Sequence, residues 1–103
     1  MNPFDLMKNM KDLQSRMGEI QGRLKTMRAE GGAGGDLVKV TVDGTMDVVS
    51  VSIDPIAVDP RDVKMLEELV QAATNAATAK IREELRREMG EMAGGLPPGF
   101  LGT

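Results

Sequence analysis

The sequence predicts an α+β fold in which two long helices flank a short hairpin, and three observations carry that expectation. Large apolar residues recur every three or four positions from Leu6 to Met27, at alternate positions between residues 37 and 53, and at helical spacing again after residue 60. Glycine, proline and aspartate punctuate the junctions, at Gly31–Asp36, Asp54-Pro55, Asp59-Pro60 and Gly94–Pro98.

The first helix is expected over residues 3–28. Leu6, Met10, Leu13, Met17, Ile20, Leu24 and Met27 are spaced 4, 3, 4, 3, 4, 3, which is a heptad seam held for three repeats. Asn2 before Pro3 supplies an N-cap and then a proline at the first helical position, and Gly31 and Gly32 are expected to stop the helix. About 25 helical residues make a rod of roughly 38 Å, longer than a compact domain of this size accommodates.

Gly31 to Asp36, GGAGGD, has the composition of a flexible joint between helix and strand. The hairpin is expected over 37–53. In LVKVTV, Val38, Val40 and Val42 share one face, and Asp43-Gly44 reads as a two-residue turn. In the returning strand, TMDVVSVSI, the apolar parity flips between Val48 and Val49, which predicts a bulge.

Asp59 followed by Pro60 repeats the cap-then-proline pattern, so the second helix is expected over 60–92. Its stripe is Val63, Leu66, Val70, Ala73, Ala77, Ile81 and Leu85. Alanines at 72, 73, 76, 77 and 79 leave its middle small enough for another backbone to come close, whereas KIREELRREMGEM is highly charged. One domain is expected over residues 1–93, with a Gly/Pro-rich flexible tail over 94–103.

Two rods and a small hairpin cannot bury these stripes within one chain, because a narrow seam is satisfied by a facing helix of similar length. A homodimer is the expectation, with Leu6, Met10, Leu13, Met17, Ile20 and Leu24 as its packing seam.

Composition narrows the function. The 103 residues include no cysteine and no histidine, which removes disulfides and the usual nitrogen and sulfur ligands, so neither metal nor cofactor is expected. Of the nine methionines, Met10, Met17 and Met27 fall on the seam, where thioethers fill irregular gaps, so core filling is expected of them and not a soft-metal site. Catalysis lacks an activated nucleophile or an acid and base in a recognisable cluster. Asp43, Asp54 and Asp59 each precede Gly or Pro and read as turn and cap residues, so no catalytic residue is assigned and neither an enzyme nor a small-molecule substrate is expected. GGAGG lies between helix and strand with no lysine after it, unlike a phosphate-cradling loop. No apolar run approaches the ~18 residues that span a bilayer, and MNPFDLM lacks the layout of a secretory signal, so a cytoplasmic protein without membrane contact is expected.

A net charge of −3 and a pI near 4.9 argue against a strongly basic nucleic-acid binder. Residues 1–30, however, carry six basic side chains (Lys8, Lys11, Arg16, Arg23, Lys25, Arg28) against four acidic ones, a local charge of +2. Asp12 with Arg16 and Glu19 with Arg23 are spaced for i, i+4 ion pairs, whereas Lys8, Lys11, Lys25 and Arg28 have no acid four residues before them. Arg82, Arg86 and Arg87 lie among Glu83, Glu84 and Glu88, where ion pairing is the simpler account.

Several segments in this order resemble the YbaB/EbfC family of bacterial nucleoid-associated DNA-binding proteins. They are AEGGAGGDLVKVTVDG (29–44), VSID with Pro55, the helix positions Leu66, Glu67, Leu69, Val70, Ala73, Asn75 and Ala76, and LPPGF (96–100). The resemblance implies an intertwined, tweezer-like homodimer, a three-stranded antiparallel sheet over about 27–53 with a first strand near Met27 to Glu30, and a place in the nucleoid. It also implies contacts with double-stranded DNA from the first and last helices. Lys8, Lys11, Arg16, Arg23, Lys25, Arg28, Arg82, Arg86 and Arg87 are then the expected DNA-contacting residues, reaching mainly phosphates. The alternative expectation is a protein-interaction module whose seam and charged faces dock another chain with little DNA binding.

Overall fold

The computed structural model describes residues 2–92, in the order α1 (Pro3–Thr26), β1 (Ala29–Ala33), β2 (Val38–Val42), β3 (Val48–Ile53), a 3₁₀ turn (Pro55–Ala57) and α2 (Val63–Met92). The α+β class expected from the sequence is the fold observed. The tail expected over 94–103 lies outside the described residues.

Asn2 caps α1 as expected, its side-chain oxygen accepting the Phe4 N–H at 3.2 Å, with Pro3 opening the helix. The helix ends at Thr26, two residues short of the expected Arg28. Pairing of Ala29 with Val42 requires extended backbone immediately before it, and Met27 is already extended. The Arg28 guanidinium donates to the carbonyls of Lys25 and Met27, taking over acceptors that the helix end leaves free.

The sheet is antiparallel with order β1-β2-β3. β1 corrects the reading of Gly31–Asp36 as a joint, and it lies further along the chain than the strand near Met27–Glu30 that the family resemblance implies. Gly31 stands in the strand because α2 crosses over it. A Cβ there would lie 2.5 Å from the Ala73 carbonyl oxygen, 2.7 Å from the Ala76 carbonyl carbon and closer still to the Ala77 nitrogen. The small-faced middle of α2 and the missing side chain at Gly31 are thus two halves of one contact. The turn to β2 is made by Gly34, Gly35 and Asp36, all at positive φ.

Asp43-Gly44 is not a two-residue turn. β2 and β3 are joined by residues 43–47, because the buried Asp43 carboxylate folds back into its own loop. It accepts from the Thr45 hydroxyl, the Thr45 N–H at 2.8 Å and the Asp47 N–H at 3.1 Å. The expected bulge is present. Val42 faces Val48 while Thr41 faces Ser50, leaving Val49 as the extra residue.

The second helix begins at Val63 rather than at residue 60. The Asp59 carboxylate accepts the Arg61 N–H at 2.9 Å and so closes a turn, and Asp62 is the side chain that caps the helix, accepting the Met65 N–H at 3.2 Å. Ala73, Ala77 and Ile81 form the buried stripe of α2, packed on Val38, Val40 and Val42 with Ala29 beside them. α2 covers β1 and β2 but not β3. Val51 and Ile53 project from the same face as their fully buried partners Val40 and Val38, yet are 52% and 39% exposed.

Candidate nucleic-acid interface

α1 contributes no fully buried residue, and of its side chains only Leu24 is half-buried. The seam residues Leu6, Met10, Leu13, Met17 and Ile20 are all exposed. At 100° per residue, Arg16 and Arg23 flank this seam on one side and Lys25 on the other, while Lys8 and Lys11 lie on the far face. From Lys8 to Lys25 the rod runs about 26 Å.

The structure divides the nine basic residues into different roles. Arg23 leaves its expected partner Glu19 and reaches α2 instead, its Nη2 donating to Glu88 Oε2 at 2.7 Å. That pairing corrects the i, i+4 expectation, and Asp12 and Arg16 likewise form no ion pair among the described residues. Arg28 fastens the end of α1, and its positive charge lies near enough to Asp43 to favour the ionised carboxyl. The Thr45 hydroxyl, backed by the Thr45 and Asp47 N–H groups, is the main reason that Asp43 sits below the ordinary carboxylate range, and burial opposes the effect. Arg86 pairs with Glu83 at 3.5 Å, as the sequence led us to expect. Arg87 lines a polar cleft with Glu84, Glu88 and Glu91. Lys8, Lys11, Arg16, Lys25 and Arg82 enter no ion pair among the described residues.

Two features escaped the sequence reading. Glu88 stands 65 positions from Arg23, a separation that no local pattern encodes. Between the base of α1 and distal α2 lies an apolar cleft of about 360 Å³, lined by Ile20, Leu24, Met27, Leu85 and Met89 and closed on one side by the Arg23–Glu88 pair. Gly44 seals its floor, donating its N–H to the Leu24 carbonyl at 2.8 Å. A side chain at Gly44 would run into the Leu24 backbone, its Cβ 2.6 Å from that oxygen.

Among the described residues no cluster of acidic side chains has metal-holding geometry, and no helix is long and apolar enough to cross a membrane. The arrangement is a rod carrying dispersed cations, with an apolar cleft at its base.

The chain is 42% identical over 101 residues to a nucleoid-associated protein of Rhodospirillum rubrum, covering 96% of this chain and 94% of that one. It is 44% identical over 95 residues to a nucleoid-associated protein of Granulibacter bethesdensis, with 92% and 89% covered. The crystal structure of an uncharacterized protein from Helicobacter pylori has the same fold, with a TM-score of 0.69 at 17% identity, covering 89% of this chain and 97% of that one. A family model described as the YbaB/EbfC DNA-binding family matches residues 1–96, and with relatives above 40% identity over nearly their whole length, the chain belongs to that family.

Proposed function

We propose that the protein works as a homodimer that holds duplex DNA by its phosphates, in the cytoplasmic nucleoid, in an architectural or regulatory role and without catalysis. The observation that carries this reading is the set of cations, Lys8, Lys11, Arg16 and Lys25, left without ion pairs among the described residues on a helix with no fully buried residue. The family's DNA-binding description and the nucleoid-associated relatives support the same reading. Phosphate contacts fix position without reading bases, which suits lysines and arginines dispersed along a rod.

Dimerisation is supported by two uncovered apolar surfaces, the α1 seam and the β3 residues Val51 and Ile53. A dimer would carry −6, twice the −3 of one chain, so attraction to DNA is confined to the rods and falls steeply with salt.

The test is fluorescence anisotropy with duplex DNA from low to physiological salt, comparing the wild type with Lys11→Glu plus Arg16→Glu. Binding with a negative salt slope, weakened at least tenfold by the double reversal, is expected. Salt-independent binding, or a reversal without effect in a dimer of unchanged mass, would favour a protein-docking module instead.

A further inference from the structure

Arg23 is the one cation of α1 that has an ion pair among the described residues, and its partner comes from the other helix. Arg23 follows Arg16 by one heptad on the same flank of the rod, about 10 Å further along it, so the two lie on one track for a phosphate backbone. Glu88 delivers a carboxylate to the end of that track, where its oxygen takes the place that a phosphate oxygen would occupy on the guanidinium. Glu84 and Glu91 line the adjoining cleft with Glu88, and Arg87 is the cation among them.

We infer that Glu88 is an intramolecular competitor for phosphate, holding Arg23 in reserve and limiting the affinity of α1 for DNA. The inference rests on the DNA-binding reading above. Duplex DNA first meets Lys8, Lys11 and Arg16, and it gains Arg23 only by breaking the pair with Glu88. The Arg23 side chain is 63% exposed and the half-buried Glu88 side chain 37%, so solvent screens the pair and it can exchange partners. An acid at this position therefore sets a threshold and not a permanent block.

The experiment is duplex-DNA anisotropy with the full chain at several salt concentrations, using wild type, Glu88→Gln, Arg23→Gln and the double variant. Glu67→Gln serves as a control for net charge, since Glu67 is exposed on α2 about 30 Å along the helix from Glu88. Glu88→Gln is expected to tighten binding at least threefold beyond Glu67→Gln. Its plot of log affinity against log salt should steepen by about 0.9, the value for one more neutralised phosphate. In the Arg23→Gln background the gain should vanish. Equal affinities for the two glutamine variants would overturn the inference, as would a gain that survives without Arg23. Weaker binding by Glu88→Gln would also overturn it, showing that the pair holds α1 in place. In all three cases the wild type still binds DNA with a salt slope and the DNA-binding reading stands. A wild type without that slope removes both.

Discussion

Gly31 shows how a single missing Cβ sets the distance between sheet and helix. Its neighbours across the contact are backbone atoms of Ala73, Ala76 and Ala77, which cannot swing aside as a flexible side chain would. Gly31→Ala is therefore expected to destabilise the protein by about 3 kcal/mol, the upper part of the usual overpacking range, as read by chemical denaturation. Sequence reading found both partners separately, a small-faced helix and a glycine-rich stretch, but interpreted the glycines as a joint. Glycine is a poor strand former, and only the crossing of α2 explains its place in β1. Asp43 misled for a different reason. Asp-Gly is the common signature of a tight hairpin, but this carboxylate satisfies Thr45 and Asp47 within a longer loop, and those bonds also lower its pKa.

At the scale of elements, α1 is the clearest case of pattern giving structure. Its helical state and its N-cap were legible, because each depends on residues within a turn or two of one another. The C-terminal end of α1 and the ion-pair partner of Arg23 were not legible, because pairing with β2 shortened the helix and a residue of α2 claimed Arg23. The two glycines within α1 offer a direct test of its surroundings. A Cβ at Gly18 or Gly22 meets nothing within 4 Å in the subunit, so Gly18→Ala and Gly22→Ala should each favour the helix by roughly 1 kcal/mol. Thermal melting followed by far-UV circular dichroism should shift upward for both. A downward shift would mean that another backbone packs against those positions in the assembled protein.

For the whole molecule the governing fact is shape. The chain measures 70 × 28 × 16 Å and its radius of gyration is 19.9 Å, well above the ~13 Å of a compact domain of about 100 residues. A subunit so extended leaves apolar surface that a second copy can cover, so light scattering at micromolar concentration is expected to give about 22 kDa, twice the 11.1 kDa of the chain. A mass of one chain would remove the dimer from the proposed function. In the sequence the expected dimer rested on an unpaired seam alone, whereas the uncovered face of β3 emerged once α2 was seen to cover two strands of three. The way α1 is attached has a mechanical corollary. Among the described residues, the hydrogen bonds and the ion pair that tie it to residues beyond its C-terminal end fall at Arg23, Leu24 and Lys25, close to one end of a rod about 36 Å long. The rod is a lever with its pivot at the base. A rotation of about 10° there carries the far tip roughly 6 Å, nearly two base-pair steps along a duplex, so small adjustments at the Gly44 contact are magnified at Lys8 and Lys11.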